Sequence, residues 1–458
     1  MPDLEAIFKA YDIRGVVPDQ LDADLARVVG AAFAHVLDRP PVVAVGYDMR
    51  TSSPELASAF TEGVTSQGCD VVDIGLASTD ELYFASGHLD APGAMFTASH
   101  NPPEYGGIKL CRAGAAPVGQ DTGLAEIKSL VAAGGPASQS GRGTVTKRDL
   151  LHAYAEHLTS LVDVSGGREL KVVVDAGNGM AGLTIPAVLG PGGAATAAGL
   201  RIQLIPLYFE LDGTFPNHEA NPIEPDNLRD LQAKVLQTGA DIGLAFDGDA
   251  DRCWVIDEKA ESVPPSAITA LIATRQLARE PGATIIHNLI CSRAVPEIIR
   301  EHGGVPVRER VGHSFIKQTM AETGAIFGGE HSAHFYFRDF WRADSGLLAA
   351  LHVIAALAAQ DKPLSELMAA FTRYVASGEI NRRVTDQRAT MARIKAAYQG
   401  RSGVTIDELD GLTVEADDWW FNLRPSNTEP VLRLNAEAVD RTTMERVRDE
   451  VVDLIASG

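Results

Sequence analysis

The chain has 458 residues, of which 45% are hydrophobic and 22% are charged, and its formal net charge is −21. This length predicts roughly three domains, and the composition is that of an ordinary globular protein with a sizeable core. The negative charge and the absence of a basic patch in the sequence argue against nucleic acid and the membrane surface as partners. A small anion can still bind where arginine, lysine and backbone N–H groups are concentrated locally.

The sequence also favours a cytoplasmic location. No run approaches the roughly 18 apolar residues of a membrane span, and the first residues, Met1–Glu5, lack the features of a signal peptide. The four cysteines are widely scattered, which argues against a disulfide scaffold and against a cysteine-based zinc site.

The first part of the chain predicts an α/β domain. Its apolar runs and polar connections indicate a helix around 21–37, strands at 42–47, 71–75 and 93–96, and a polar loop at 48–54 that opens a helix. Ahead of them, the segment Ile7–Gly15 ends in a turn-like Arg-Gly pair. Arg14 is therefore a candidate anion ligand, although a single arginine is usually only solvated.

A stiff loop, Thr97–Lys109, follows the strand at 93–96. Its two consecutive prolines forbid a helix, and its Gly-Gly pair marks a turn. Ser99 therefore lies where a strand gives way to an irregular loop, which is a common place for chemistry. The loop alone leaves three interpretations open: a nucleophile, a carrier of phosphate, or a turn cap.

The pattern of strand, polar loop and helix then restarts twice. After a Gly/Ala/Ser-rich stretch at 132–143, a strand at 170–175 leads into the glycine-rich loop 176–182. This loop matches G-x-G-x-x-G, but no acidic residue follows at the spacing that a dinucleotide site requires, so NAD binding is disfavoured. The second restart is a strand at 284–289 with a helix from Val295. This loose repetition suggests related domains.

Three aspartates alternate in Asp247–Arg252, directly after an apolar run. In an extended chain, residues two apart point the same way, so the carboxylates of Asp247, Asp249 and Asp251 are expected to converge. Like charges at close range need a neutralising cation, and oxygen ligands favour Mg²⁺. An EF-hand is disfavoured because Arg252 stands where that loop needs glycine. A solvated acidic turn remains the plain alternative.

Two later segments also carry polar groups at regular spacing. Glu330, Ser332 and His334 alternate, and an acceptor, a hydroxyl and an imidazole on one side suit the hydroxyls of a sugar. A zinc site through His331 and His334 is weaker, because further ligands are absent nearby. The segment Arg424–Pro430 has the composition of a cup for phosphate or carboxylate. Either segment can also be a plain surface loop.

The last part of the chain differs from the three α/β units. Short strands are predicted at 403–405, 412–414, 419–423 and 431–437, followed by a helix at 444–455. This pattern indicates a separate, smaller α+β domain.

Together these motifs resemble the α-D-phosphohexomutases of the bacterial phosphomannomutase/phosphoglucomutase type. The matching segments occur in that family's order and span nearly the whole chain: 11–15, 97–109, 247–252, 329–334 and 424–430. Two positions depart from the family. Ala333 replaces a glycine, and Ile290 stands where many members carry a lysine.

The resemblance implies three related mixed α/β domains and a smaller C-terminal α+β domain around a central active-site cleft. The expected boundaries are 1–150, 151–258, 259–372 and 373–458. Each domain is expected to contribute one loop: the phosphoserine, metal-binding, sugar-binding and phosphate-binding loops, in that order.

The resemblance also implies roles for individual residues. Ser99 would carry the transferred phosphoryl group, and Mg²⁺ would be bound by Asp247, Asp249, Asp251 and the phosphate on Ser99. The residues implied to bind substrate are Tyr11, Arg252, His313, Glu330, Ser332, Arg424, Ser426, Asn427 and Thr428.

The implied reaction also needs a proton acceptor. Lys109 and His334 are the better candidates, with Arg14 in support, and the lysine would need a pKa lowered by burial near other cations. His100 is a weaker candidate, because adjacent side chains in an extended chain point to opposite faces. A structural role, or a hydrogen bond to phosphate, is expected for it instead.

The implied function is interconversion of hexose 1-phosphates and 6-phosphates of mannose and glucose, through a phosphoserine and a hexose 1,6-bisphosphate. The expected partners are small hexose phosphates only, and the chain is expected to be a monomer or a weak dimer. The alternatives are a phosphoglucosamine mutase, a metal-dependent sugar phosphatase and a non-catalytic sugar-phosphate binder.

Overall fold

The computed structural model describes residues 3–426 and 431–457. Within these residues the chain forms four β-sheets, each with helices of its own. Three of the sheets are mixed, with parallel and antiparallel pairs, and the last is antiparallel throughout. The predicted architecture, three related α/β domains and a smaller α+β domain, is confirmed.

The first sheet has the strand order β1-β5-β4-β2-β3-β7, with β6 paired to β5. Its strands and helices, in chain order, are α1 (Leu4–Ile7), β1 (Asp12–Val16), α2 (Ala23–Val36), β2 (Val42–Tyr47), α3 (Ser53–Ser66), β3 (Asp70–Leu76), α4 (Thr79–Leu89), β4 (Gly93–Phe96), β5 (Tyr105–Arg112), β6 (Ala116–Pro117), α5 (Leu124–Ala132) and β7 (Val145–Lys147). Arg14 and Gly15, predicted to form a turn, lie instead within β1, which pairs with β5.

The second sheet has the order β12-β11-β10-β8-β9. Its elements are α6 (Leu151–Leu161), β8 (Leu170–Asp175), α7 (Ala181–Leu189), α8 (Ala194–Ala197), β9 (Ile202–Leu207), α9 (Arg229–Thr238), β10 (Ile242–Phe246), β11 (Cys253–Asp257) and β12 (Ser262–Val263). This sheet continues past residue 258, where a domain boundary was expected. The four expected boundaries stay predictions.

The third sheet has the order β14-β13-β15-β16-β17. Its elements are α10 (Pro265–Arg279), β13 (Thr284–Asn288), α11 (Ala294–Glu301), β14 (Val305–Glu309), α12 (His313–Thr323), β15 (Phe327–Gly329), β16 (Phe335–Phe337), β17 (Ala343–Asp344), α13 (Gly346–Ala358) and α14 (Leu364–Met368).

The fourth sheet has the order β18-β22-β21-β20-β19. Its elements are β18 (Val375–Arg383), α15 (Gln387–Tyr398), β19 (Thr405–Asp407), β20 (Leu412–Glu415), β21 (Trp419–Pro425), β22 (Val431–Ala438) and α16 (Arg441–Ala456). Its buried apolar side chains form a cluster of their own. The largest cluster in the chain instead joins apolar residues of the first three domains.

The first three sheets share one local topology. In each, a short buried strand pairs in parallel with the strand two before it in the chain and antiparallel with the strand that follows: β4 with β2 and β5, β10 with β8 and β11, and β15 with β13 and β16. The loop leaving this central strand is, in turn, the loop of Ser99, of Asp247 and of Glu330. The repetition seen in the sequence is therefore a structural repeat. It places each polar loop at the carboxyl end of a parallel strand, where α/β sheets bind ligands.

Candidate active site

A cavity of about 690 Å³ opens between the first three domains. Its wall is rich in charged and polar side chains from all three. The predicted site residues that line it are Tyr11, Arg14, Ser99, His100, Lys109, Asp251, Arg252, His313 and His334. Asp247 and Asp249 lie just beneath the wall and have no exposed surface.

Ser99 is held in a left-handed backbone conformation, with φ at 52°. Its N–H donates to Thr97 Oγ1 (2.9 Å), and its hydroxyl donates to Asp247 Oδ2 (2.9 Å). The side chain is nearly buried, at 3% exposure. The loop of the first domain therefore presents its serine directly to the carboxylate loop of the second.

The expectation that His100 points away from Ser99 is wrong. His100 Nδ1 lies 3.3 Å from Ser99 Oγ, because the left-handed turn at Ser99 brings two adjacent side chains to the same side. Arg252 also donates to Nδ1, so the ring proton of a neutral His100 belongs on Nε2. Burial, and then the charge of Arg252, hold the pKa of His100 well below its usual value.

The three aspartates converge as predicted, but not through an extended chain. Residues 247–252 form a turn between β10 and β11, with Ala250 at φ 62°. One carboxylate oxygen from each aspartate lies within 4.8 Å of the others. Burial raises the pKa of Asp247 to about 7, against the opposing charge of Arg252.

The oxygens of this cluster fit a hard cation. Asp249 Oδ1 and Asp251 Oδ1 are buried, and neither has a hydrogen-bond partner in the described part of the chain. The Lys109 ammonium lies 2.6 Å from Asp249 Oδ2 and 2.6 Å from Asp251 Oδ2. Buried carboxylates require such compensation, and the oxygen-only ligand set is the kind that Mg²⁺ prefers.

The pKa of Lys109 is shifted in the direction opposite to the one expected from the sequence. Burial acts to lower the pKa of Lys109, but the carboxylates of Asp249 and Asp251 outweigh burial and raise it. The same contact holds the pKa of Asp249 below its usual value, although burial alone would raise it. The sequence expectation considered the neighbouring cations and omitted the two carboxylates.

Two arginines complete the positive side of the cavity. Arg252 Nε donates to Asp247 Oδ2 (2.7 Å), and its Nη2 lies 3.4 Å from Ser99 Oγ. Arg14 donates to Asp12 Oδ2 (2.7 Å) and to Asn101 Oδ1 (2.5 Å). Both guanidinium groups thus flank the serine, although the whole chain is strongly acidic.

Two glycines allow the serine and aspartate loops to meet. A Cβ on Gly248 would lie 2.5 Å from the Ser99 carbonyl oxygen, and a Cβ on Gly179 would lie 2.7 Å from the Gly248 oxygen. The Met180 N–H also donates to that oxygen (2.9 Å). The glycine-rich loop that resembles a dinucleotide fingerprint therefore supports the aspartate turn.

Glu330, Ser332 and His334 also meet in a turn rather than along a strand. Ala333 takes a left-handed conformation, with φ at 65°. Ser332 Oγ lies 3.0 Å from His334 Nδ1, which is 3.6 Å from Glu330 Oε2. His334 Nε2 in turn lies 3.9 Å from Asp251 Oδ1, so the third domain reaches the aspartate cluster.

The zinc hypothesis through His331 and His334 finds no support in the described residues. The metal-capable group that contains His334 also includes Asp251 and Asp344, whereas His331 is in none. His331 lies beside Ser266 Oγ, at 3.3 Å.

Tyr11 and His313 approach each other across the cavity. Their ring centroids are 4.7 Å apart in an edge-on arrangement. Burial, and then the charge of Lys317, hold the pKa of His313 well below its usual value. A neutral imidazole at the start of α12 therefore faces the first domain.

The predicted phosphate loop is described only in part. Arg424 Nη1 lies 3.7 Å from Asp410 Oδ2, and the Ser426 N–H donates to the Val431 oxygen (2.8 Å). Asn427 and Thr428 lie outside the described residues. The predicted anion cup in the fourth domain stays a prediction.

The sequence reasoning missed a buried ion pair and a buried arginine. Lys317 Nζ lies 2.8 Å from Asp344 Oδ1 and 4.1 Å from the centre of the Tyr83 ring. Arg50 is buried behind the serine loop. Asp344 is the last residue of β17, and Arg50 lies in the polar loop after β2, so their position at a strand end was the available signal.

Comparison with known proteins identifies the family. Four family models match in chain order, described as phosphoglucomutase/phosphomannomutase alpha/beta/alpha domain I (residues 5–137), domain II (152–260), domain III (264–374) and C-terminal domain (379–454). The chain therefore belongs to the phosphoglucomutase/phosphomannomutase family.

Individual relatives are similar over nearly their whole length. A Xanthomonas campestris protein with the name "Phosphohexose mutases" is 42% identical to this chain, over 98% of both chains. A phosphomannomutase of Escherichia coli K12 is 41% identical, over 94% of both chains. The crystal structure of a family member from Burkholderia thailandensis has a TM-score of 0.89 and 34% identity, over 100% of this chain and 98% of the other.

None of the helices in residues 3–426 and 431–457 has the length and the apolar character needed to cross a membrane.

Proposed function

We propose that this chain is a Mg²⁺-dependent phosphohexomutase that interconverts the 1- and 6-phosphates of mannose and glucose. The observation that carries the proposal is the meeting of Ser99 with the aspartate cluster, where Ser99 Oγ lies 2.9 Å from Asp247 Oδ2. The family and the names of the relatives support the choice of substrate.

Ser99 is the proposed carrier of the phosphoryl group. In the forward half-reaction, the bond between phosphorus and Ser99 Oγ breaks and a bond to the free hydroxyl of the sugar phosphate forms. The resulting 1,6-bisphosphate reorients, and its other phosphate returns to Ser99. The sugar keeps the phosphate that it received from Ser99 and is released as the isomeric monophosphate. No phosphate is consumed in the cycle.

The carboxylates of Asp247, Asp249 and Asp251, together with phosphate on Ser99, would hold Mg²⁺. When bound, the cation supplies charge neutralisation for the transferring phosphoryl group. Arg14 and Arg252 flank Ser99 and would stabilise the same developing charge.

The proton of the attacking hydroxyl has two candidate acceptors. His334 lies beside the cluster. Lys109 would become a candidate only if a bound cation replaced its ammonium on the carboxylates of Asp249 and Asp251, which raise its pKa and keep it protonated. His100 is assigned to hydrogen bonding near the phosphate, because Arg252 already donates to its Nδ1.

The sugar and the non-reacting phosphate would be bound by the remaining loops. Glu330 accepts from Tyr336 Oη (2.6 Å) and from the Gly312 N–H (3.0 Å), which fixes it as an acceptor for sugar hydroxyls. The other residues proposed to bind substrate are Tyr11, His313, Ser332, Arg424, Ser426, Asn427 and Thr428.

Side-by-side kinetics test the proposal. The assay compares three substrates, each in the presence of a bisphosphate primer: mannose 1-phosphate, glucose 1-phosphate and glucosamine 1-phosphate. Release of inorganic phosphate and phosphorylation of Ser99 are measured in parallel. We expect turnover of the first two, little phosphate release, and loss of activity in Ser99→Ala but not in the exposed control Ser140→Ala. Preference for the glucosamine substrate would indicate a phosphoglucosamine mutase, and steady phosphate release would indicate a phosphatase.

A further inference from the structure

Arg50 is a buried cation that binds the serine loop from behind. Its side chain has no exposed surface, and it does not line the cavity. Nη1 donates to the Pro102 oxygen (2.7 Å) and the Tyr105 oxygen (3.1 Å). Nη2 donates to the Ser99 oxygen (2.8 Å) and the Asn101 oxygen (2.6 Å). One guanidinium group thus binds four carbonyls between residues 99 and 105.

Backbone hydrogen bonds also hold the loop, from the Asn101 N–H to the Ala98 oxygen, from the Tyr105 N–H to the Pro102 oxygen and from the Val17 N–H to the Glu104 oxygen. Prolines at 102 and 103 remove two N–H donors, and a left-handed residue at 99 is unfavourable for a serine by about 1–3 kcal/mol. Hydrogen bonds from a charged donor contribute about 1.5–3 kcal/mol each. The bonds from Arg50 are therefore large enough to keep Ser99 in its observed conformation.

Arg50 is itself fixed on its remaining sides. Its Nε lies 3.3 Å from Asp48 Oδ2, and its guanidinium carbon lies 5.1 Å from the centre of the Phe215 ring. Gly213 packs so closely that a Cβ there would lie 2.5 Å from the Arg50 Cα. The second domain therefore covers the residue that orients the serine of the first.

We infer that Arg50 is a positioning residue that sets the orientation of Ser99 for phosphoryl transfer and keeps its side chain in the buried position seen here. It touches neither the reacting atoms nor the cavity, and it acts through the loop backbone. This inference rests on the proposed phosphoserine mechanism. A lysine cannot replace it, because a single ammonium cannot bind four carbonyls from this position.

The variant Arg50→Lys tests this role, with the exposed Arg229→Lys as the matched control. We expect kcat to fall about 100-fold, the effect typical of a small misplacement of a reacting group, with KM for the sugar phosphate changed little. We also expect the phosphoenzyme to hydrolyse faster than in the wild type. A variant that is merely less stable would show neither a lower kcat at unchanged KM in its folded fraction nor faster hydrolysis of the phosphoenzyme. The two measurements therefore distinguish a positioning role from a loss of stability.

Asp48→Asn provides a second test that leaves the arginine in place. The amide nitrogen would face Arg50 Nε and displace the guanidinium, so about a tenfold loss of kcat and faster phosphoserine hydrolysis are expected. If Arg50→Lys does not fold, this variant decides. Wild-type kcat and wild-type phosphoserine lifetime in the folded variants would overturn the inference. A wild-type protein without mutase activity would instead refute the proposed function.

Discussion

Each of the three loops that meet in the cavity contains a residue other than glycine with a left-handed backbone. They are Ser99 (φ 52°), Ala250 (φ 62°) and Ala333 (φ 65°). This conformation is unfavourable for residues with a Cβ, and it persists where the surrounding structure imposes it. The loops therefore store strain at the place where substrate is expected to bind.

The strain at Ala333 predicts a stabilising substitution. Ala333→Gly removes the unfavourable Cβ and should raise the free energy of unfolding by about 1 kcal/mol. The control Ala321→Gly, in the last turn of α12, should lower it by up to about 1 kcal/mol. Denaturant unfolding measures both. Destabilisation by Ala333→Gly would show that the alanine methyl packs favourably enough to outweigh the backbone term.

The contact between Gly248 and the Ser99 oxygen predicts a sharp loss of activity. In Gly248→Ala the new Cβ would lie 2.5 Å from that oxygen, so the serine and aspartate loops must separate. We expect kcat to fall about 100-fold, because the nucleophile shifts relative to the metal ligands. Gly141→Ala, where nothing lies within 4 Å, is the control. Unchanged kcat in Gly248→Ala would mean that the loops can move apart without penalty.

At the scale of elements, the N-terminus of α4 connects the three α/β domains. Thr79 Oγ1 donates to Asp249 Oδ2 (2.6 Å), which links the helix to the aspartate cluster. Asp80 accepts from Tyr154 Oη (2.7 Å) in the second domain and from Ser345 Oγ (2.6 Å) in the third. One helix end therefore fixes the relative position of all three domains.

The neighbouring Glu81 predicts a dependence of stability on pH. Burial, and then the charge of Asp80, raise the pKa of Glu81 to about 8. The folded state keeps a proton that the unfolded state loses near its ordinary value of 4.5, so stability is lost as pH rises from there through about 8. Glu81→Gln, which carries no charge, should be more stable than the wild type above about pH 8 by up to about 5 kcal/mol.

Thermal unfolding across this pH range checks the prediction. The curves of wild type and Glu81→Gln should coincide near about pH 4 and separate as pH rises. The exposed Glu126→Gln is the control and should follow the wild type. Parallel curves for all three proteins would mean that Glu81 finds a compensating partner when it ionises.

The order of elements could be predicted from the sequence because apolar runs and polar loops alternate strongly. Ser99, Asp247 and Glu330 each follow a buried strand, so their positions at strand ends were predictable. The shape of the loops was not, since left-handed residues such as Ala250 carry no local sequence signal. Spacing alone predicted an extended chain, and the residues converge through turns instead.

Contacts between distant segments were also beyond the sequence. Lys109 meets Asp249 and Asp251 across two domains, and this contact reverses the expected direction of its pKa shift. The burial of Arg50 behind the serine loop depends on a loop near Phe215. Neither contact is indicated by a sequence motif or by hydrophobic periodicity, because only tertiary packing brings these residues together.

At the scale of the whole molecule, the buried apolar clusters are distributed unevenly among the four domains. The first domain has an apolar cluster of its own but also shares the largest cluster with the second and third domains, whereas the buried residues of the fourth lie in a separate cluster. The aspartate cluster and its contacts with Ser99, Lys109 and His334 lie entirely within the first three. Metal binding should therefore be linked to the stability of those three domains and not to that of the fourth.

Calorimetry with and without Mg²⁺ tests this division. We expect two unfolding transitions, of which only the one from the first three domains responds to metal. At a free Mg²⁺ concentration of about 100 times Kd, ligand linkage adds about 2.7 kcal/mol to its unfolding free energy, and a chelator reverses the shift. Asp249→Asn should abolish the response, while the exposed Asp226→Asn should keep it. An equal shift of both transitions would mean that the fourth domain unfolds together with the others, because its interface with the third domain would then outweigh the separation of their cores.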